Sequence, residues 1–344
     1  MLAAVLESVG KISLKKVEKP KPRPGEAIVA VMACGICQTD FSAYTGRREV
    51  KVPITLGHEI SGIIDGLGEG VDGFMPQDEV VVNPNISCGR CRWCRIGLEN
   101  HCPYGAVIGG EGHEEVWDGG FAEYVRVPAR SLLKKPERIS FEGAALTEPL
   151  AGSYKGLIKF GRLTIGEDVV IVGCGSMGLL LLLLAKAAGA GRIIGIDPVK
   201  ARREKAMELG ATAVIDPESE DPQMALKDLL PDGPDIIVEA AGTLEAASLA
   251  MRIAGRRTRV SMFGVIIPGE ISISPKEIHF SEIEVNSSFS VTSEVMQRAL
   301  DIMEKGVVDT SKIITHIFPL KDISLAFQSM MMPERVKIVI KPWD

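Results

Sequence analysis

The sequence has no excess of positive charge: 39 Lys and Arg stand against 45 Asp and Glu, for a net charge of −6. That balance argues against a nucleic-acid or anionic-membrane surface as the main partner. Long apolar runs are also missing. The most apolar stretch, Leu179–Leu184, is far too short to cross a bilayer and reads as a helix buried beside a sheet. The N-terminal MLAAVLESVGKISLKK lacks the basic-then-apolar layout of a secretory signal, so a cytoplasmic protein is expected. There is no internal repeat and no low-complexity tract. The seven cysteines are an odd number, and four of them crowd one short segment. In such a chain this points to metal ligands or free thiols before disulfides. What is present is a globular composition, 46% hydrophobic and 24% charged, in 344 residues, enough for two domains with cores of their own.

The rest of the chain is organised around Asp168–Gly178, DVVIVGCGSMG. Its apolar, β-branched start reads as a buried parallel strand. Gly173-Cys-Gly175-Ser176-Met177-Gly178 then matches G-x-G-x-x-G, and Leu179–Ala188 reads as a helix closed by Gly189. The first glycine permits a tight turn, the second lets a pyrophosphate approach the backbone, and the third lets helix and strand pack closely. The helix start offers N–H groups and a positive dipole end to phosphates. A second strand, Arg192–Ile196, follows at βαβ spacing and ends in Asp197. An acidic residue there accepts adenosine ribose hydroxyls.

Before this unit the chain reads as mostly β, with strands at Leu2–Leu6, Ala27–Met32, Ile60–Gly66, Glu79–Asn83 and Ala122–Val127. After it come strands at Ala213–Ile215, Asp235–Glu239 and Thr258–Met262, alternating with helices near Lys200–Leu209, Gln223–Leu229 and Leu244–Ala254. Such alternation predicts a doubly wound parallel sheet. Helices at Ser293–Lys305 and Ile323–Met330 and a strand at Arg335–Ile340 resume the style of the first part. The expected division is 1–149 for a catalytic domain, 150–286 for a dinucleotide domain and 287–344 for a return to the first.

Cys88, Cys91, Cys94 and Cys102 give C-x2-C-x2-C-x7-C, with Gly89 and Gly97 at the turns. Four close thiolates suit a closed tetrahedral zinc, which has a structural role because no position stays open. Disulfides and an iron–sulfur cluster are the competing readings. Arg90, Arg92 and Arg95 add the further one of a nucleic-acid-binding zinc ribbon, against solvated loop arginines in an acidic chain. A second group combines Cys37, His58, Glu59 and Glu148. One thiolate, one imidazole and carboxylates can hold zinc and leave a position for water or substrate. Such a zinc lowers the pKa of an alcohol, and a nicotinamide can take the hydride. By residue type alone, Cys34-x-x-Cys37 also reads as a redox pair, and a lone His as an ordinary core residue.

Taken together, Cys34-Gly-Ile-Cys37-x-Thr39-Asp40, Gly57-His58-Glu59, the four-cysteine lobe and Gly173–Gly178 resemble the zinc-containing medium-chain alcohol dehydrogenases in order and spacing. Glu148-Pro-Leu-Ala151 is similar to the polyol (sorbitol and butanediol) and threonine dehydrogenase branch. The resemblance implies an α/β protein with a GroES-like, mostly β catalytic domain and a Rossmann cofactor domain. It implies two zinc ions per subunit, one catalytic at Cys37, His58, Glu59 and Glu148, one structural at the four cysteines. Glu59 stands beside or behind the catalytic metal, Glu148 binds directly or through water, Asp40 orients His58, and Thr39 passes the substrate proton toward the cofactor ribose. Many relatives carry a His two residues after the Asp; here that position is Ser42, so the relay ends at the ribose, at water or at another group. His113 and His279 receive no role, and Cys34 and Cys174 read as buried free thiols.

For the cofactor, Asp197 repels a 2′-phosphate and favours NAD over NADP, whereas Lys200, Arg202, Arg203 and Lys205 could offset that repulsion. The resemblance places Arg202 on the adenosine ribose, and Val265 and Ser288 where backbone groups hold the carboxamide. The expected activity is hydride transfer from a secondary alcohol (a polyol, sugar or hydroxy-amino acid) to NAD in a homotetramer, with no nucleic-acid or membrane partner. The rival readings are a zinc-free quinone reductase of the same superfamily and a non-enzymatic zinc- or NAD-binding protein.

Overall fold

A computed structural model describes residues 1–110, 115–266 and 269–343; His113 lies outside them. The chain divides into two compact units, Met1–Ala151 with Ser290–Asp344, and Gly152–Phe289. No helix among the described residues is long and apolar enough to cross a membrane.

The first unit is built on the strand Glu26–Gly35, whose EAIVAVMACG is buried along most of its length. The burial follows from its place inside a seven-stranded sheet. Glu59–Leu67 pairs with it antiparallel on one side, and Tyr124–Pro128 and Lys337–Lys341 pair with it on the other. Glu79–Val82 and Leu132–Lys134 extend one edge of the sheet, and Ile314–Pro319 closes the other. The register sets Glu59 and Val339 on either side of Gly35. Three strands separated widely in sequence therefore converge where Glu26–Gly35 ends, two residues before Cys37. A smaller sheet of Lys11–Lys16, Leu2–Ser8 and Ile54–Thr55 lies in the same unit. Phe121, Phe327 and Ile60 are among the large side chains buried in its core. The edge of the Phe121 ring meets Phe327 at 5.8 Å.

The second unit is a six-stranded parallel sheet. Its order is Ala213–Ile215, Ile193–Ile196, Val169–Val172, Ile236–Glu239, Arg259–Met262 and Glu284–Ser287. The first strand in sequence is central, and the chain winds outward from it in both directions. The strand order thus reverses at the carboxyl end of Val169–Val172, where doubly wound sheets bind their ligands. Every residue of Val169–Val172, Ile193–Ile196 and Ile236–Glu239 is buried, as expected of strands covered on both faces.

The reading from sequence omits several elements. Lys11–Lys16 and Ile314–Pro319 are strands. Gln38–Tyr44 is a helix of only seven residues, too short for a periodic signal. Thr147–Tyr154 runs on into a π-helical turn, Lys155–Phe160. The helix expected from Leu179 begins at Ser176, because the last glycine of the loop already belongs to its first turn.

Candidate functional site

Cys37 precedes the helix Gln38–Tyr44, with extended backbone at φ −93° and ψ 157°. Asp40, in the first turn, folds its carboxylate back so that Oδ2 accepts the Cys37 N–H at 2.9 Å, one half of a capping box. Its Oδ1 accepts the Gly57 N–H at 3.2 Å and lies 3.4 Å from His58 Nδ1. One carboxylate thus starts a helix and orients an imidazole eighteen residues away in sequence, the usual support for a metal-binding histidine. Gly57 has φ +98°, and a Cβ there would stand 2.8 Å from Cys34 Sγ. Only glycine fits this turn into the strand that starts at Glu59.

The ligand atoms of Cys37, His58 and Glu59 all lie within 4.8 Å of one another. With Nδ1 turned to Asp40, Nε2 is the His58 nitrogen left for a metal, and Thr39 Oγ1 lies 3.5 Å from it. Glu59 is 1% exposed. Lys337 Nζ lies 2.5 Å from each of its oxygens, hydrogen-bonding Oε1 and ion-pairing with Oε2. A buried carboxylate beside a thiol and an imidazole, all within reach of one point, suits a divalent cation. The set of sulfur, nitrogen and oxygen is that of a zinc site with a position left open.

Burial alone would push the His58 imidazole down, but the Asp40 carboxylate raises it well above its ordinary value. Burial also opposes ionisation of Asp40; His58 and the N–H groups of Cys37 and Gly57 outweigh it and hold that carboxyl below its usual range. Glu148, in the first turn of Thr147–Tyr154, falls outside the three-residue group. Burial pushes its carboxyl up to about 7, with His58 pulling it down and Glu59 pushing it up. It therefore feels the group's charges while standing apart from it. Ser42 lies in the same short helix as Thr39 and Asp40. His279 lies in the other unit, on Pro275–Ser281.

Cys88, Cys91, Cys94 and Cys102 form the second cluster. The sulfur separations are 3.4 Å for Cys91–Cys94 and 3.9 Å for Cys88–Cys94 and Cys91–Cys102. Zinc bound at about 2.3 Å from each sulfur spaces a tetrahedron of thiolates roughly 3.8 Å apart. All four are free cysteines, and the separations are too long for disulfide bonds. Backbone N–H groups already point at the sulfurs, Cys88 N at Cys102 Sγ and Cys91 N at Cys88 Sγ, both at 3.3 Å. The Arg90 and Cys91 N–H groups draw the Cys88 thiol down to about 6, whereas burial pushes Cys102 up to about 11. Cys34 and Cys174 are buried free thiols.

In the second unit Gly173 has φ +99° and a Cβ there would lie 2.6 Å from Ala241 N; one on Gly178 would lie 1.8 Å from the Gly173 carbonyl oxygen. A Cβ on Gly175 would meet nothing within 4 Å. Two glycines are thus demanded by packing and the third faces open space, the cradle a pyrophosphate needs. Ser176 and Met177 form the first turn of the helix that follows. Asp197 is 3% exposed, and its oxygens accept the N–H groups of Cys174 and Val199, both at 2.8 Å. Its carboxylate thus ties the end of its own strand to the glycine loop. Arg203 donates to the carbonyls of Asp197 and Pro198 and pairs with Asp216. Arg202 Nη1 is 3.9 Å from Asp197, and its buried Nε has no acceptor among the described residues. Val265 is 73% exposed and Ser288 is half-buried.

Sequence reasoning misses two buried charges next to the site residues, among others. Lys337 is one, and its signal is a lone charge inside the apolar Val336–Ile340. Glu239 is the other, fully buried at the end of Ile236–Glu239. It accepts the N–H groups of Ala241, Gly242 and Gly264 at 2.7–3.2 Å and so shapes the loop edge that carries Val265.

Residues 23–137 match the alcohol dehydrogenase GroES-like domain, and residues 176–305 match the zinc-binding dehydrogenase family. The chain is 32% identical to a sorbitol dehydrogenase of Halalkalibacterium halodurans, across 95% of both chains. It is 34% identical to an L-threonine 3-dehydrogenase of Pyrococcus abyssi, across 95% of this chain and 94% of that one. A zinc-binding dehydrogenase of Sinorhizobium meliloti, solved with NADP bound, superposes with a TM-score of 0.93 at 35% identity, covering 99% of each chain.

Proposed function

The chain belongs to the zinc-containing medium-chain alcohol dehydrogenases, in their polyol and threonine dehydrogenase branch, and from that premise we propose that it oxidises a secondary alcohol, with zinc at Cys37 and His58 and NAD as hydride acceptor. The observation that carries this reading is the convergence of the ligand atoms of Cys37, His58 and Glu59 within 4.8 Å of one another. Zinc, when bound there, supplies a Lewis acid that makes an alcohol hydroxyl easier to deprotonate.

The chain's own residues do the remaining work. Asp40 holds His58 with Nε2 facing the metal position. Thr39 Oγ1, beside that nitrogen, would accept the hydroxyl proton as its own passes to the cofactor ribose, to water or to another group, since Ser42 stands where many relatives carry a histidine. Glu148 would be a further ligand, direct or through water. Cys88, Cys91, Cys94 and Cys102 hold a second, structural zinc, its fourfold sulfur shell closed to substrate. Gly173, Gly175 and Gly178 with the helix from Ser176 take the pyrophosphate; Asp197 and Arg202 take the adenosine ribose, and the backbone at Val265 and Ser288 the carboxamide. The Asp197 carboxylate favours NAD over a 2′-phosphorylated cofactor. The branch resemblance supports a homotetramer working in the cytoplasm, which light scattering and fractionation check.

The test is a panel of secondary alcohols, polyols, sugars and hydroxy-amino acids with NAD or NADP, followed by absorbance of the reduced cofactor, beside elemental analysis. The expected result is turnover that prefers NAD, with two zinc ions per chain. Quinone reduction by a zinc-free protein, or no turnover across the panel by a zinc-loaded one, overturns the reading.

A further inference from the structure

The buried ion pair behind the zinc position is a device in its own right. Lys337 Nζ is 3% exposed on its side chain and Glu59 is 1% exposed. The ammonium touches two things. It donates to Glu59 Oε1 at 2.5 Å and to the Ile36 carbonyl at 3.1 Å. Ile36 precedes Cys37, and Glu59 follows His58. One side chain from the strand Lys337–Lys341 therefore grips the neighbours of both proposed ligands, which arrive on two other strands. The site is built for this grip. Gly35 lies between Glu59 and Val339 in the register, and a Cβ on it would stand 2.0 Å from Glu59 Oε2 and 3.0 Å from Lys337 Cε.

Charge makes the grip consequential. A thiolate and a full carboxylate beside one metal both compete for coordination positions, and an unpaired Glu59 would be a strong ligand. Lys337 neutralises it, its Nζ lying 2.5 Å from each carboxylate oxygen. We propose that Lys337 is a positioning residue: it holds Glu59 back from the metal and fixes Cys37 against His58, so that the fourth coordination position stays open to substrate. This rests on the zinc reading above.

The experiment substitutes cobalt(II) for zinc in the full-length protein and records the visible ligand-field spectrum, with imidazole as a probe of the open position. Lys337→Met removes the charge at similar length. Lys337→Gln can still donate to the Ile36 carbonyl and serves if the methionine variant does not fold. Lys337→Arg restores a cation. In the uncharged variants Glu59 moves onto the cobalt: the spectrum shifts, imidazole binds about tenfold or more weakly, and kcat falls by a similar factor while KM for NAD holds. Adding Glu59→Gln to Lys337→Met returns the wild-type spectrum, and Lys337→Arg retains it. A purely structural lysine would change thermal stability and leave spectrum and imidazole affinity as they are; that result overturns the proposal. If the wild-type protein binds metal only at the four-cysteine cluster, the zinc reading itself falls, and this inference with it.

Discussion

Two glycines three residues apart should fail in opposite ways. A Cβ on Gly178 would stand 1.8 Å from the Gly173 carbonyl oxygen, 2.9 Å from its carbon and 3.3 Å from Ile171 Cγ2. Backbone cannot yield as a flexible side chain does, so Gly178→Ala must push the helix Ser176–Ala187 off the strand Val169–Val172. Overpacking of this kind costs about 1–3 kcal/mol, or a fall in melting temperature of roughly 2–4 °C for each kcal/mol. Gly175 differs. Its φ of −73° and ψ of −165° suit alanine, and nothing lies within 4 Å of the new methyl. Stiffening the unfolded chain stabilises by about 0.4–1 kcal/mol, and the poorer helix cap costs about 0.5–1 kcal/mol. The two offset one another, so Gly175→Ala should melt with the wild type. It should still lose cofactor, because its methyl fills the space a pyrophosphate needs. A tenfold weaker Kd, about 1.4 kcal/mol, is the least expected. Differential scanning fluorimetry without cofactor and fluorescence titration with NADH separate the two effects. If Gly175→Ala binds NADH as tightly as wild type, or Gly178→Ala melts unchanged, the account of this loop is wrong.

Three further outcomes follow from the two metal clusters and the cofactor carboxylate. Asp40→Asn removes a charge that serves Cys37, Gly57 and His58 together, so chelator competition should show catalytic-site zinc bound about 10–100-fold more weakly; equal affinity refutes the orienting role. Cys94→Ser should leave one zinc per chain by elemental analysis and lower the melting temperature, with the remaining zinc at Cys37 and His58; two zinc ions in the variant would show that Cys94 is no ligand. Asp197→Ser should lower the NAD-to-NADP ratio of kcat/KM. Because Asp197 also accepts from Cys174 and Val199, NAD affinity should fall as well. An unchanged ratio removes Asp197 from cofactor choice.

Local chemistry was legible in the sequence wherever neighbouring residues make a site. The C-x2-C-x2-C-x7-C spacing already brings four sulfurs to 3.4–3.9 Å in a short loop. Gly173–Gly178 encodes its own turn, and the parallel strands announce themselves as apolar runs because both of their faces are covered. The mostly β and doubly wound parts were legible from these signals, and the GroES-like identification followed from the family resemblance. What stayed hidden depends on register. Nothing in Val336–Ile340 says that its lysine ends at Glu59, 278 positions away along the chain; that contact exists because Gly35 is paired on both sides, with Glu59 and with Val339. A shift of one residue in either pairing would turn the charged side chain to the opposite face. Asp197 shows the complementary limit. Its position after the second strand marks it for a ribose, but only the folded loop shows that both its oxygens already hold backbone N–H groups. The carboxylate proposed to choose the cofactor is thus also the one that ties its strand end to the glycine loop. On the proposed reading, a substitution at Asp197 alters cofactor preference and loop geometry together.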